Sequence, residues 1–311
     1  MFTDSTRVTR AVQLSPAEGQ GSGMEILAIS QNKGGTGKTT TGRMIAEGVA
    51  RAGRRVLCID LDPQCNLSQR FLVMDLDTTM ADSFLPPVHP EFDPLEDTDW
   101  NGRCSIADIF IGKPVVPYPT AIPNLNILPG SGDLLRRIEL VDEAKVVERV
   151  HNRLKEFLDR PEILDLYDLV VIDTSPSKGP LTRAALRAAT HVMVPTTMTP
   201  MGVEGLQGML MMWQQENRSR AFGNRLDMIG ILPNMFRNVA IQEGLLESLK
   251  NDEFTGPLMM DTMLSLRTIY TEQDHESNRP KSIFNLPANN PARREVESMV
   301  NFVGRRIGVL A

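Results

Sequence analysis

Short, almost unbroken apolar runs alternate along this chain with stretches of helical spacing. Met24–Ser30, Arg55–Asp60, Leu125–Pro129, Tyr167–Asp173, His191–Pro195 and Leu226–Leu232 have the composition of strands buried on both faces. Apolar residues recur with helical period over 41–50, 133–159, 180–190, 202–217, 241–251 and 291–308, the second of these reading as one charged amphipathic helix. Strands alternating with helices predict an α/β fold: a mostly parallel, twisted sheet with helices on both faces.

Two stretches fall outside that rhythm. Residues 1–22 are polar and run into Gly19, Gly21 and Gly23, the pattern of a flexible N-terminal extension. Residues 74–104 carry Asp75, Asp77, Asp82, Glu91, Asp93, Glu96, Asp97 and Asp99, punctuated by Pro86, Pro87, Pro90 and Pro94. They read as an acidic, solvated surface insertion. The expected plan is an extension, 1–22, followed by a single domain, 23–311, that carries the insertion.

Composition narrows the class. Of 311 residues, 41% are hydrophobic and 23% charged, which suits a packed core. A net charge of −6 argues against a globally basic nucleic-acid binder but leaves room for a local basic patch. The three cysteines, Cys58, Cys65 and Cys104, form no disulfide framework. No apolar run is long enough to span a membrane, and a cytoplasmic protein is expected.

The chemistry begins directly after the first predicted strand. Lys33-Gly34-Gly35-Thr36-Gly37-Lys38-Thr39-Thr40 joins that strand to a helix. Glycines there let backbone N–H groups close around phosphate oxygens at the positive end of the helix. Lys38 is expected to neutralise the β- and γ-phosphates of ATP, and the Thr39 hydroxyl to ligate Mg²⁺. The loop ends as a standard phosphate loop does, but Asn32 stands at the first glycine position and Lys33 is added. On position alone, Lys33 is either functional or a solvated surface lysine. Asp60 and Asp62 follow the second strand, where carboxylates beside a phosphate loop order Mg²⁺ or an attacking water.

The run K-G-G-T-G-K-T-T, with D-L-D-P-Q-C-N at 60–66 and V-I-D-T-S-P-S at 171–177, resembles the deviant Walker A ATPases of the ParA/MinD family. The similarity covers about residues 24–308, including Met198–Gly205 at the family's dimer face. It is nearest to partition ATPases without an N-terminal helix-turn-helix domain, for which 22 residues are too short. The resemblance implies that Lys33 reaches across a homodimer to the partner's ATP, and that Asp62 positions the attacking water. It further implies that Asp173 holds Mg²⁺ through a water, that Thr174–Ser177 senses the γ-phosphate, and that Asn234 reads adenine. Cys65 stands where the family commonly has glycine.

In such proteins the ATP dimer binds DNA without sequence preference, and a centromere-binding or cargo-adaptor protein stimulates hydrolysis to drive plasmid or chromosome partition on the nucleoid. Arg237, Arg267, Arg279 and Lys281 are candidate phosphate contacts, with Lys250, Arg293 and Arg294 nearby. Leu266 and Ile269 fall where arginine is expected. A relative that positions a protein cargo would keep every motif. A MinD-like membrane role is disfavoured by the short, glycine-interrupted end Arg305–Ala311. A reductase like the nitrogenase iron protein lacks its bridging cysteines here.

Overall fold

In a computed structural model, the residues described are 23–272 and 282–311, apart from 79, 81 and 222. The proposed extension at 1–22 lies outside them.

The strands are β1 (Glu25–Ile29), β2 (Val56–Asp60), β3 (Asp75–Leu76), β4 (Phe84–Leu85), β5 (Tyr118–Pro119), β6 (Leu125–Leu128), β7 (Leu169–Asp173), β8 (His191–Thr197) and β9 (Asp227–Asn234). Seven of them form one sheet in the order β5-β6-β2-β7-β1-β8-β9, parallel except for β5 at its edge. This is the fold class that the alternation predicts. β2 and β7 are buried along their whole length, which explains why they read as unbroken apolar runs. The helices are α1 (Lys38–Arg51), α2 (Asn66–Phe71), α3 (Gly132–Glu139), α4 (Ala144–Leu158), α5 (Pro161–Leu164), α6 (Pro180–Ala188), α7 (Pro200–Ser219), α8 (Ala240–Asn251), α9 (Thr268–Glu272) and α10 (Pro291–Arg306).

Register sets the position of the chemistry. Ile29, the last residue of β1, pairs with Asp173, and Asp173 also pairs with Asp60 at the end of β2. Thr197 pairs with Asn234 at the ends of β8 and β9. The phosphate loop, both carboxylates and Asn234 therefore converge on the carboxyl edge of the sheet, where open α/β sheets bind ligands.

Two expectations need correction. The helix expected over 133–159 is two helices, α3 and α4, broken at 140–143. That stretch, Leu140-Val141-Asp142-Glu143, holds no glycine or proline to announce a stop. The insertion is not simply solvated loop. Most of its acidic residues are exposed, but Asp77 and Asp97 are half-buried, β3 and β4 form a small hairpin and His89 is buried. The His89 ring lies 4.6 Å from Tyr118 and 5.7 Å from Trp100, and Phe92 packs edge-on against Trp100. Four rings supply the apolar area that anchors a polar segment.

Candidate nucleotide site

The loop leaves β1 at Ser30 and turns tightly. Gly35 and Gly37 have φ of 70° and 82°, a left-handed backbone open to glycine without steric cost. Gly37 is the N-cap of α1 with no side-chain cap, so the first N–H groups of the helix remain for a ligand. Lys38 is buried and folds back, its Nζ donating to the Lys33 carbonyl at 3.2 Å. Burial lowers its pKa, and the charges of Asp173 and Asp62 oppose that shift. The loop is braced from behind: Gln31 Nε2 donates to Thr196 Oγ1 at 3.0 Å, and the Asn32 N–H donates to Gln31 Oε1 at 2.8 Å.

Opposite Lys38 sits a buried acidic cluster. Asp60 accepts from the Ser68 N–H, the Ser68 hydroxyl and the Asp62 N–H, at 2.8, 2.6 and 3.1 Å. Burial nonetheless pushes its pKa up to about 6, and the Asp62 charge adds to the rise. Asp173 is held well above the usual carboxylate range, first by burial and then by Asp60. Thr39 Oγ1 donates to Asp173 Oδ2 at 2.6 Å, while Asp173 Oδ1 is buried with no partner among the described residues. Asp62 lies nearer the opening and accepts from the Gln64 N–H at 2.9 Å.

These features fit a magnesium ion. A hydroxyl that gives its hydrogen to a carboxylate keeps its lone pairs for a cation, and the orphaned Oδ1 is an acceptor for a metal-bound water. Among the described residues, no three His, Cys, Asp or Glu side chains are placed to hold a metal by themselves. Mg²⁺ suits such a site because it retains waters and takes phosphate oxygens as ligands.

Other residues singled out in the sequence lie around this core. Cys65, the N-cap of α2, has φ of 53°, a conformation that favours glycine and carries a steric cost for cysteine. Lys33 turns outward: its Nζ lies 3.1 Å from Glu204 in the first turns of α7. Thr174 Oγ1 donates to the Ile29 carbonyl, and Ser177 donates to Glu139. Glu139 also accepts from the Leu181 N–H at 3.2 Å, tying α3 to the turn after β7. Sequence reasoning missed Glu139, since it is one acidic residue among many on an amphipathic helix.

Asn234 bonds to the phosphate loop. It is buried, its Nδ2 donates to the Thr36 carbonyl at 2.7 Å, and its Oδ1 accepts from the Met235 N–H. Both ends of the amide are engaged on the protein.

The basic residues divide. Arg237 is exposed. Arg267 is paired with Glu295 at 2.6 Å, and Arg293 with Glu297 at 2.7 Å, so much of that charge is already compensated. Arg279 and Lys281 lie outside the described residues. Among the described residues, no helix is long and apolar enough to cross a membrane.

A family model described as an AAA domain matches residues 24–226. The chromosome partitioning protein ParA of Caulobacter vibrioides is 30% identical over 217 residues, covering 68% of this chain and 70% of that protein. This chain belongs to the ParA/MinD family of ATPases. The family member Soj of Thermus thermophilus, a chromosome-partitioning ATPase, is 28% identical over 210 residues, 68% of this chain and 69% of that one. The chain spans 40% and 44% of the length of two rhizobial relatives, provisionally named replication protein A, each 32% identical to it where they match. Two solved structures share the fold. The ATP complex of a Cyanothece McdA variant matches with a TM-score of 0.69 at 19% identity, covering 91% of this chain and 98% of that one. A Borrelia burgdorferi plasmid partition protein bound to AMPPNP matches with a TM-score of 0.65 at 21% identity, covering 91% and 100%.

Proposed function

We propose that this chain hydrolyses ATP with Mg²⁺ as a ParA-type switch. Two copies sandwich the nucleotides between them, and the ATP dimer binds DNA without sequence preference. A partner protein, centromere-binding or cargo-adapting, then stimulates hydrolysis, so that plasmid or chromosome partition follows. The observation that carries this reading is the direction of Lys33. Its backbone carbonyl supports Lys38 inside the loop, while its side chain leaves the loop for Glu204 on α7. A cation held at the mouth, away from its own cradle, is available to a nucleotide bound by a second copy. Lys38 and Thr39 serve the phosphates and the metal within one copy. Asp62, shielded yet beside the opening, is suited to orient the attacking water.

Occupancy and pairing are then linked, because the Lys33 charge stabilises ATP only in the paired state. A dimer also doubles whatever basic surface meets DNA. The chain's net charge of −6 confines that surface to a local patch, for which Arg237, Lys250 and Arg294 are exposed candidates among the described residues.

Sedimentation and DNA mobility shifts, with ATP and with ADP at two salt concentrations, test the reading. Wild type should pair and bind DNA only with ATP, and the binding should fall steeply with salt. Lys33→Ala should lose both properties while retaining monomer nucleotide binding. Equal DNA binding in ATP and ADP would refute the switch. A normal ATP dimer without DNA binding at any salt would refute the DNA role and favour positioning on a protein surface.

A further inference from the structure

Lys33 has a neighbour of the same charge. Gly202, Gly205 and Gly208 recur along α7 at every third position, leaving one side of the helix bare. A β-carbon on Gly205 would stand 2.5 Å from Lys33 Cγ. One on Gly208 would stand 3.1 Å from Lys178 Nζ and 2.9 Å from Asn32 Nδ2. Side chains from the loop mouth and from the turn after β7 thus lie in successive hollows of the same helix.

Their charges are not balanced alike. Lys33 has Glu204. Lys178 is exposed and has no carboxylate partner among the described residues. Beside it, the amide nitrogen and oxygen of Asn32 are both shielded from water and both without a hydrogen-bond partner among the described residues. Buried amides are ordinarily satisfied, and one that is not marks a place where a partner is missing. An ammonium without a counter-ion and an amide N–H without an acceptor, at the same point over Gly208, are complementary to an anion.

The position indicates which anion. Lys178 follows Asp173 by five residues, on the turn whose Thr174 bonds to the last carbonyl of β1. Asn32 opens the phosphate loop itself. We propose that Lys178, with the Asn32 amide, is a second recognition point for the terminal phosphate of a nucleoside triphosphate, beside Lys33 at the mouth of the loop. This rests on the nucleotide site described above. Lys38 reaches the β-phosphate that ATP and ADP share as well as the γ-phosphate, whereas Lys178 gains its contact only when the third phosphate is present. Lys178 therefore adds to the preference for ATP over ADP. The terminal phosphate belongs either to the copy that carries Lys178 or to a second copy across the dimer.

Titration with fluorescent analogues of ATP and ADP separates these outcomes. In Lys178→Met, affinity for the ATP analogue should fall about tenfold while that for the ADP analogue is unchanged, and Lys178→Arg should recover most of the loss. Because Lys178 is exposed, Lys178→Met should melt as wild type does. In a Lys33→Ala background, a loss that persists assigns the contact to the same copy, and one that vanishes assigns it to a second copy. An unchanged ATP-to-ADP ratio in Lys178→Met, with Lys38→Ala still abolishing binding, would overturn this proposal alone. Absence of nucleotide binding in the wild type would overturn the nucleotide site and this proposal together.

Discussion

Thr39 donates its hydroxyl hydrogen to Asp173 Oδ2 across 2.6 Å, joining the first turn of α1 to the end of β7. The contact fixes which way the hydroxyl oxygen faces, and partners that orient a metal ligand typically govern affinity by 10- to 100-fold. Thr39→Ala should therefore weaken ATP binding by roughly tenfold with Mg²⁺ and change it little in EDTA. Titration in both conditions checks this. An equal loss in each would place Thr39 in the loop's structure and not at the metal.

The acidic cluster makes stability depend on pH. Asp60 has a folded pKa of about 6, above its ordinary value, so the folded chain binds the extra proton more tightly than the unfolded chain does. Its stabilising contribution is complete below the ordinary carboxylate range and is lost as pH rises through about 6. Burial of His89 and His151 lowers their pKa values and acts in the opposite sense, so a difference measurement is needed. Without nucleotide, the stability gap between Asp60→Asn and wild type should shift in favour of the variant by about 1 kcal/mol between pH 5 and pH 7. Thermal melts at three pH values would show it. Mg²⁺ with nucleotide should flatten the trend in wild type, because a cation favours the charged carboxylates.

How much of this was legible in the sequence follows from where each residue's environment is made. The phosphate loop, Asp60 and Asp173 end strands whose apolar runs are unmistakable, and strand ends in a parallel sheet share one edge. The break at 140–143 was not legible, because apolar spacing continues through it without a glycine or proline. Nor was the edge strand β5, two residues long and flanked by Pro117 and, within it, Pro119. Glu139 gains its role only from the approach of α3 to the turn after β7. The state of Arg267 likewise depends on Glu295, distant in sequence but in contact with it. Contacts between elements are what a pattern of local periods cannot convey.

Gly205 tests the geometry at the loop mouth. A methyl group there would meet Lys33 Cγ at 2.5 Å and Gln31 Oε1 at 2.7 Å. Gln31 is fully buried and bonded to Thr196, so it yields little, and Lys33 must move. Alanine in a helix interior otherwise gains about 0.5–1 kcal/mol over glycine. Gly205→Ala should therefore lower the melting temperature, because the crowding on buried Gln31 outweighs that gain, and should also disrupt ATP-dependent pairing. Sedimentation with ATP measures that, and a dimer of wild-type affinity would show that the position of Lys33 does not govern assembly.

The Asn234 amide bears on whether this residue reads the base or holds the loop. Its Nδ2 lies 2.7 Å from the Thr36 carbonyl, and a β-carbon on Gly37 would come within 2.3 Å of that same nitrogen. Oδ1 accepts from the N–H of Met235, whose φ of 52° needs support. Asn234 thus braces the left-handed turn at Gly37, from which the N–H groups of α1 are presented. Losing two buried hydrogen bonds costs about 1–3 kcal/mol. Asn234→Ala should lower stability by that amount and weaken ATP and GTP to the same extent, because a displaced loop receives any triphosphate poorly. Melting curves and competition between the two nucleotides provide the measurement. A loss confined to ATP, with an unchanged melt, would mean that the amide leaves Thr36 when nucleotide arrives and reads adenine.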